Sequence, residues 1–398
     1  MKILVLATKA PWPPLDGGRL LLLHTLEGLA AAGHRLALVA PIDPARFDLG
    51  SVASALRPLC VPHLVAARPA GRLVTLGRAA GRGMPLSIAR HSLPAVQREV
   101  ARLLAAEPFD LLHAEQLQAL PRVRREGVPL PPIVLRAQNV ESDLWQATAR
   151  QRGGLSPLLG LEARRLAAWE GRAVREVAAT VALTPEDGMR LAALGGPGAA
   201  GRVHVVAAPF PANLPPGGTA LAGNPAVVVL GSAGWLPNAD SVAWFRSTVW
   251  PVVRAALPGA VLHLFGEGGK GTPEPGVVAH PAPVSSTDAF APGAILAVPV
   301  RIASGVRMKI LEAWARGVPV VGTPEAVSGL GAELGRELLV ACDPAGFADA
   351  LVRLHAEPGL VRSLVAAGRT ALRQRHTPAA VTARLAAIYA EVTGGKTD

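Results

Sequence analysis

The sequence predicts an α/β protein with two doubly wound, Rossmann-like domains. Three observations support this fold class. The 398 residues exceed one average domain and suffice for two domains with full hydrophobic cores. Short apolar runs alternate with amphipathic helical segments along both halves, as in parallel sheets. Residues 209–224 are rich in proline and glycine and lack periodicity, which indicates a linker, so the predicted domains are 1–212 and 213–398.

Composition excludes several classes of protein. Hydrophobic residues make up 50% of the chain and charged residues 17%, which excludes disorder, and no apolar run approaches the ~20 residues that cross a bilayer. The two cysteines, Cys60 and Cys342, fall in different halves, so we expect no disulfide framework and no metal-ligand spacing, which fits a reducing cytoplasm. The net charge is +11, but aromatic residues are only 4%, so we expect no nucleic-acid partner.

The first half opens with a strand–helix–strand pattern. We predict a strand at residues 2–7, a helix at 20–32 and a second strand that closes at 39–41. The pair Gly17-Gly18 falls in the loop at the carboxyl edge of the sheet, where a backbone can approach a ligand closely. This loop is not the G-x-G-x-x-G dinucleotide fingerprint, so nicotinamide chemistry is not expected.

Polar clusters follow two later strands of this half. The residues that follow the predicted strands 111–113 and 133–135 are Glu115, Gln138, Asn139 and Glu141. Because the carboxyl ends of parallel strands share one edge, these side chains are predicted to lie at the same edge as the glycine pair. The remaining elements of the half are a helical segment at 150–177, a strand at 180–183, a helix start at 184–187 and a strand at 203–206.

A stretch without acidic residues runs from Leu49 to Arg98. Its arginines are Arg57, Arg68, Arg72, Arg78, Arg82, Arg90 and Arg98, and its apolar residues include Leu73, Val74, Leu76 and Met84. Arginine interleaved with apolar residues is typical of a segment that lies on an anionic membrane. The alternative is a solvated arginine-rich face in a chain of biased composition.

The second half repeats the alternation of strands and helices. Strands are predicted at 227–230, 261–265, 295–300, 318–321 and 338–342, with helices from 344 to 392. In the stretch 297–322 the apolar strand breaks at Ser304-Gly305, either of which would cap the next helix, and Gly317 with Pro319 ends that helix. Strand, glycine turn, helix and strand at this spacing predict a right-handed parallel crossover.

Positive charge surrounds the N-terminus of this predicted helix. Free backbone N–H groups there favour an anion, and Arg301, Arg307 and Lys309 would bind a phosphate with them. Glu312 follows Lys309 by one turn on the same face and would accept a hydrogen bond from a sugar hydroxyl. The alternative is an ordinary surface pair of Lys309 and Glu312 beside solvated arginines.

Four motifs occur in a fixed order along the chain. They are P-P-L-D-G-G-R at 13–19, Q-N-V-E-S-D-L-W at 138–145, G-W-L-P-N-A-D-S-V at 234–242 and S-G-V-R-M-K-I-L-E-A-W-A-R-G-V-P-V-V at 304–321. In this order they resemble family 4 of the GT-B glycosyltransferases, which are retaining enzymes dependent on nucleotide sugars. The resemblance implies that the two domains face each other across a cleft. It also implies that the last helix packs back on the N-terminal domain.

The resemblance further implies a division of roles. The first half would bind a polysaccharide, lipid-linked or other glycan acceptor, and the second half a nucleotide diphosphate sugar. The implied catalytic residues are Lys309, Arg301 and Glu115. The implied donor-binding residues are Gly17, Gly18, Gly231, Ser232, Gly234, Ser304, Gly305, Val306, Arg307, Lys309 and Glu312. The implied acceptor-side residues are Arg19, Gln138, Asn139 and Glu141.

The chain departs from the family pattern at several positions. Glu312 matches the second Glu of the E-x7-E motif, which contacts the ribose, but Ser304 stands at the first. Glu115 and Gln138 occupy positions where relatives carry His, and the Arg/Lys pair after the first strand of the second half is absent. No Asp-x-Asp metal motif occurs, so we expect neither a metal nor any cofactor beyond the nucleotide-sugar co-substrate.

Two other functions remain open at this level. A GT-B nucleotide-sugar epimerase would share the fold and the donor site. A catalytically silent nucleotide-sugar-binding subunit is kept open by Ser304 and Glu115, because both replace residues that active relatives carry. For a transferase we expect a location in the cytoplasm, with a peripheral position on the inner face of the membrane if the arginine-rich stretch binds lipid.

Overall fold

The chain folds into two compact units in the computed structural model. Unit 1 comprises Met1–Pro209 together with the C-terminal segment that begins at Pro378, and unit 2 is Phe210–Thr377. The structure describes residues 1–122, 130–151, 156–231, 236–266, 274–281, 286–302 and 304–394.

Unit 1 contains one parallel sheet of seven strands. The strands are β1 (Lys2–Leu6), β2 (Arg35–Ile42), β3 (Val61–Ala66), β4 (Leu111–Glu115), β5 (Ile133–Ala137), β6 (Ala179–Ala182) and β7 (Val203–Val205). Their order across the sheet is β3-β2-β1-β4-β5-β6-β7, and each neighbouring pair is parallel. The chain therefore reverses its direction of winding between β1 and β4, which defines a topological switch point.

Unit 2 contains a second parallel sheet, with six strands. The strands are β8 (Ala226–Leu230), β9 (Val261–Phe265), β10 (Val277–His280), β11 (Ile295–Val298), β12 (Val320–Gly322) and β13 (Leu339–Val340). Their order is β10-β9-β8-β11-β12-β13, so the switch point of this sheet lies between β8 and β11. The predicted class, two doubly wound α/β domains, is confirmed.

Helices cover both sheets. They are α1 (Gly17–Ala31), α2 (Leu49–Leu56), α3 (Arg72–Arg82), α4 (Leu86–His91), α5 (Pro94–Ala106), α6 (Glu141–Gln151), α7 (Ser156–Glu176), α8 (Pro185–Gly195), α9 (Leu236–Trp244), α10 (Trp250–Ala256), α11 (Met308–Arg316), α12 (Pro324–Val327), α13 (Pro344–Ala356), α14 (Pro358–Ala371) and α15 (Pro378–Val392). Short 3-10 or π-helical turns occur at Leu117–Arg122, Ala200–Arg202, Phe245–Val249, Ser286–Phe290 and Leu372–His376.

The core of unit 1 has two sides because side chains alternate along each strand. Ile3 and Val5 of β1 pack with helices α1 and α15 on one face of the sheet. Leu4 and Leu6 pack with helices α5 and α7 on the other face. All four side chains are fully buried, as expected for a central strand covered on both faces.

Helix α11 carries part of the core of unit 2. Its residue Trp314 is 1% exposed, and its indole N–H donates to the carbonyl of Glu337 at 3.1 Å. Helix α14 packs against α11 at Gly368, where an added Cβ would lie 2.5 Å from Cδ1 of Trp314. Gly317 ends α11 in the left-handed conformation with φ 78°, which confirms the predicted helix end.

Several predicted boundaries are wrong for local reasons. Helix α1 begins at Gly17 rather than at residue 20, because the Asp16 carboxylate caps it by accepting from the Arg19 N–H at 3.0 Å. The glycine pair is therefore the first turn of a helix and not a loop. The helical segment predicted at 150–177 forms parts of two helices, α6 and α7. Strands β3 and β10 had no counterpart in the prediction, since both are only partly buried.

The segment after the unit boundary contains no helix or strand, but it is bound to unit 2. Phe210 is 1% exposed, and its N–H donates to the carbonyl of His376 at 2.7 Å. The N–H of Leu214 donates to Ala315 at 3.1 Å. The prediction of a linker at 209–224 thus needs correction, since its first residues pack against the domain that follows. Among the helices of the described ranges, none has the length and apolar composition that crossing a bilayer requires.

Candidate functional site

The candidate donor site lies at the switch point of unit 2. In open α/β sheets, ligands bind outside the carboxyl ends of the strands at this point. Here β8 ends at Leu230 and β11 ends at Val298, and these strands are neighbours in the sheet. The ammonium of Lys309, on α11, donates a hydrogen bond to the carbonyl of Leu230. Lys309 is therefore placed at the crevice between the two strand ends.

A short turn connects β11 to α11. Gly305 adopts φ 71°, a left-handed conformation that favours glycine. The helix begins at Met308 with Arg307 as its N-cap residue, and among the described residues no side chain caps it. The prediction that Ser304 or Gly305 caps the helix is therefore wrong, because the chain stays irregular for two more residues. Val306 lies within this irregular segment and is 9% exposed.

The three predicted cations have different surroundings. Burial, together with the neighbouring charge of Arg307, lowers the pKa of Lys309 to about 8. The guanidinium of Arg307 donates to the carbonyl of Ser304, so it stabilises the turn. The guanidinium of Arg301 lies 3.7 Å from the Asp240 carboxylate. The Arg301 guanidinium also lies 5.5 Å from the centroid of the Trp244 ring on α9, which is a cation–π distance.

Glu312 is 3% exposed on the same helix. Its Oε1 accepts from the hydroxyl of Ser286 at 2.5 Å and from Nε of Arg316 at 3.0 Å. Within the described part of the chain, both hydrogen-bond donors to Glu312 approach the same oxygen. The surface pair of Lys309 and Glu312 that formed the alternative is not observed, since each side chain has other partners.

The segment after β8 completes this side of the crevice. Gly231 is buried, and its N–H donates to the carbonyl of Phe265 at 3.0 Å. The predicted donor-binding residues Ser232 and Gly234 lie outside the described residues. In the described ranges, no group of three or more His, Cys, Asp or Glu side chains is arranged to hold a metal ion.

The switch point of unit 1 is formed by the start of α1 and the ends of β4 and β5. Gly17 and Gly18 are the first two residues of α1. A Cβ on Gly18 would lie 2.8 Å from Oε1 of Gln138, so a larger residue there would require the Gln138 amide to move. Arg19 is held within the unit, since its guanidinium donates to the carbonyl of Ala10 at 2.8 Å and lies 3.3 Å from the Asp16 carboxylate.

Glu115 is the centre of a buried polar network in unit 1. It is 2% exposed, and its carboxylate accepts from Nε of Arg136 at 3.0 Å and from Nη2 at 2.5 Å. It also accepts from Nε2 of Gln138 at 2.7 Å and lies 3.0 Å from Nε2 of His113. Burial alone would raise the pKa of Glu115, but the Arg136 charge and the hydrogen bonds outweigh it and lower that pKa to about 2.

The C-terminal helix α15 reaches the same network. Tyr389 is the single tyrosine of the chain and is fully buried. Its hydroxyl lies 2.7 Å from Nδ1 of His113. Burial raises the pKa of Tyr389 and lowers that of His113, so both side chains are neutral at neutral pH. Nη1 of Arg136 donates to the hydroxyl of Thr25 at 2.7 Å, which adds α1 to the network.

The predicted acceptor-side residues Asn139 and Glu141 lie at the start of α6. Burial raises the pKa of Glu141, opposed by side-chain hydrogen bonds from Gln118 and Asn139. Glu170 of α7 accepts from the Glu141 N–H at 2.6 Å, and burial raises its pKa to about 7. The two carboxylates therefore hold the segment that follows β5.

Several members of the unit 1 site were not among the predicted site residues, namely Thr25, His113, Arg136, Glu170 and Tyr389. Arg136 directly follows the predicted strand 133–135 and had no predicted role, and Glu170 lies 29 positions from its partner Glu141. Tyr389 lies 276 positions from His113. The single tyrosine of the chain was a possible sign of a special role, but the sequence around it does not identify His113 as its partner.

The fold and the two switch-point sites define a doubly wound α/β protein with a partly buried lysine, Lys309, at the switch point of its second unit. Residues 224–357 match the family model of group 1 glycosyl transferases. No curated protein matches the chain at a significant level of sequence similarity.

Solved structures share the fold across the whole chain. A crystal structure of Anabaena Alr3699/HepE in complex with UDP-glucose is 15% identical with a TM-score of 0.63, covering 98% of this chain and 100% of that one. Sucrose-phosphate synthase from Thermosynechococcus elongatus is 15% identical with a TM-score of 0.69, covering 99% of each chain. A glycosyltransferase from Rickettsia africae is 8% identical with a TM-score of 0.61, covering 98% of each chain. The fold is thus that of the GT-B glycosyltransferases.

Proposed function

We propose that the chain is a retaining glycosyltransferase of family 4. It moves a sugar from a nucleotide diphosphate sugar to a polysaccharide, lipid-linked or other glycan acceptor. The observation that carries this proposal is Lys309 at the switch point of unit 2, within the domain that matches the group 1 glycosyl transferase model. HepE, which shares the fold, was crystallised with UDP-glucose, a donor of the proposed class. Retention is supported only by the resemblance of the four ordered motifs to family 4.

Lys309 is suited to stabilise a leaving diphosphate. Its ammonium donates one hydrogen bond to the neutral carbonyl of Leu230, and an ammonium has two further N–H donors. With a pKa of about 8 it is mainly charged at pH 7, and a bound anion would raise that pKa. The N-terminus of α11, which no side chain of the described residues caps, adds oriented backbone N–H groups beside it. As the bond between the sugar C1 and the diphosphate oxygen breaks, charge grows on that oxygen and both groups bind it more tightly.

Glu312 is proposed to bind the donor ribose. Its Oε1 is occupied by Ser286 and Arg316, which fix the orientation of the carboxylate. A ribose hydroxyl donating to Oε2 would contact a part of the donor whose charge does not change in the reaction. Glu312 would therefore strengthen donor binding without lowering the barrier further.

We propose further that catalysis needs no divalent metal. The cation at the proposed phosphate site is Lys309, and the sequence has no Asp-x-Asp motif at a strand end of unit 2. The arrangement stabilises the leaving group with a side chain and a helix N-terminus. Arg301, which pairs with Asp240, remains a proposed catalytic residue on the basis of the resemblance.

The proposal is tested in two steps with the purified chain. A thermal-shift screen of nucleotide diphosphate sugars identifies the donor, because a ligand at 100 times its Kd adds ~2.7 kcal/mol of stability. Turnover of that donor is then measured with a panel of glycan acceptors, and NMR of the product gives the anomeric configuration. Donor binding without consumption would indicate a silent binding subunit. Inversion of the sugar in the donor pool would indicate an epimerase.

Variants then separate the two roles. Lys309→Ala is expected to lower kcat by about 10²–10³, as for other preorganised charge-stabilising donors, with a smaller rise in KM. Glu312→Gln is expected chiefly to raise the KM for the donor. Arg353→Ala is the control, since it removes an exposed cation from α13 of the same unit. If both site variants turn over like the parent at saturating donor, the site assignment is wrong.

A further inference from the structure

Helix α3 of unit 1 has its apolar side chains in solvent. Leu73 is 85% exposed, Val74 51% and Leu76 56%. The residues of α3 that are buried against the domain are Thr75 and Ala79. A surface helix of a soluble domain normally buries its apolar stripe and exposes its polar face, so the polarity of α3 is inverted.

The geometry of the helix explains which residues point outward. At about 100° per residue, the direction opposite Thr75 and Ala79 belongs to Leu73, Gly77 and Ala80, which are all exposed. No charged residue lies in that direction. Arg78 lies beside the buried side and donates to the carbonyl of Ser92 at 2.6 Å. The outward face is therefore made of apolar and small residues only.

The two ends of this helix are positively charged. Arg72 and Arg82 form the two ends of α3, and both are exposed. Further exposed arginines of the surrounding stretch are Arg57, Arg68 and Arg90, and no Asp or Glu occurs between Leu49 and Arg98. Beneath the helix, Arg165 of α7 donates to the carbonyls of Ala79 and Met84 at 3.3 and 2.8 Å.

We propose that α3 is the docking element of this chain for an anionic lipid surface. Leu73, Val74 and Leu76 would enter the boundary between headgroups and acyl chains, and Arg72 and Arg82 would contact the anionic headgroups. A protein partner fits less well, because one face of an 11-residue helix is smaller than the ~800 Å² per partner that a stable interface buries. This inference does not depend on the proposed glycosyl transfer.

The experiment is vesicle sedimentation of the full chain. Vesicles of phosphatidylglycerol mixed with phosphatidylcholine are compared with phosphatidylcholine alone, at low and high salt. The parent is expected to bind the anionic vesicles and to lose binding as salt screens the charges within a Debye length of ~10 Å at 0.1 M. Equal binding to both kinds of vesicle, or binding unaffected by salt, would overturn the proposal.

Variants locate the binding to α3. The double substitution Leu73→Ser with Leu76→Ser is expected to weaken binding to anionic vesicles by about tenfold or more, since it removes two inserted apolar side chains. Leu158→Ser is the matched control, because Leu158 is 68% exposed on α7, and it should bind like the parent. All of these side chains are exposed, so thermal melts should not change. If the double variant binds anionic vesicles as strongly as the parent, another surface of the chain binds them and the proposed role of α3 is refuted.

If sedimentation detects only weak binding, hydrogen exchange locates the part of the chain that contacts the vesicles. Hydrogen exchange of the parent with anionic vesicles should slow within residues 72–82 and not in α7. Slowing elsewhere, with α3 unchanged, would also refute the proposal. Binding of the chain to another protein through α3, without any binding to vesicles, would show that a protein partner is the occupant instead.

Discussion

Replacing Glu115 with glutamine removes the only carboxylate that the structure places against the buried Arg136 guanidinium within the described residues. Both side chains are 2% exposed, and the carboxylate accepts from Nε and Nη2 of Arg136. Glutamine keeps the shape of the side chain but leaves a buried cation without its counter-charge. We therefore expect Glu115→Gln to destabilise unit 1 rather than to abolish chemistry selectively.

Two arguments give the loss of unfolding free energy expected for Glu115→Gln. A carboxyl whose pKa falls from its ordinary 4.5 to about 2 on folding contributes about 3 kcal/mol at neutral pH, because each pKa unit corresponds to ~1.4 kcal/mol. Independently, breaking a buried ion pair by removing one partner costs roughly 3–5 kcal/mol. A loss of about 3 kcal/mol corresponds to a Tm lower by about 6–12 °C for a domain of this size.

The same pKa fixes the pH dependence. Because the pKa of Glu115 is lower in the folded state, its contribution is fully present above the unfolded value of 4.5 and is lost as the pH falls through about 2. The difference in stability between parent and Glu115→Gln should therefore be constant from pH 7 to about pH 5. Below that range it should shrink toward pH 2.

The assay is calorimetric melting of both proteins across this pH range, with donor turnover measured well below both melting temperatures. Asp143→Asn is the control, since the Asp143–Arg190 pair is exposed and its loss should cost under ~1 kcal/mol. If Glu115→Gln melts like the parent while its turnover falls by 10² or more, our reasoning fails. Glu115 would then act in catalysis, as the sequence resemblance implied.

Two further predictions concern unit 2. Chelation by EDTA should leave turnover nearly unchanged if Lys309 and the helix N-terminus stabilise the leaving diphosphate, whereas a rate that vanishes with EDTA and returns with magnesium or manganese would contradict metal independence. Gly368→Ala should cost roughly 1–3 kcal/mol in thermal melts, because the added Cβ would lie 2.5 Å from Cδ1 of Trp314. Gly359→Ala, on the same helix with its nearest neighbouring atom 3.9 Å from the added Cβ, should show no loss.

The fold was predictable because its signals are local. Buried parallel strands are continuous apolar runs, and the predicted strand at 261–265 coincides with β9. Helix ends follow from single residues, as at Thr184, which caps α8 by accepting from the Asp187 N–H at 3.0 Å. The predicted start of α1 was wrong because the sequence pattern did not identify Asp16 as the residue that caps this helix.

The site was predictable only in part. The position of Lys309 near a helix N-terminus follows from spacing along one helix, but its partner Leu230 is 79 positions away and joins it only through the order of strands. Charge spacing in the sequence also did not show that the Arg307 guanidinium turns back to a carbonyl of its own turn, and its role in donor binding stays a prediction. Direction of a side chain depends on backbone conformation, which charge spacing does not contain.

The two switch points differ in a way that supports the division of roles. In unit 1 the buried charge is already balanced, since Glu115 pairs with Arg136 and also fixes the amide of Gln138. A charged ligand there would have to replace an existing ion pair. In unit 2, among the described residues, Lys309 has a neutral carbonyl as its hydrogen-bond partner, and its lowered pKa reflects a buried cation that lacks a counter-charge. Under the proposed function, an anion bound at this point would supply that charge, which places the donor diphosphate in unit 2. Unit 1 would then bind a neutral, hydroxyl-rich acceptor through amides and glycine backbone.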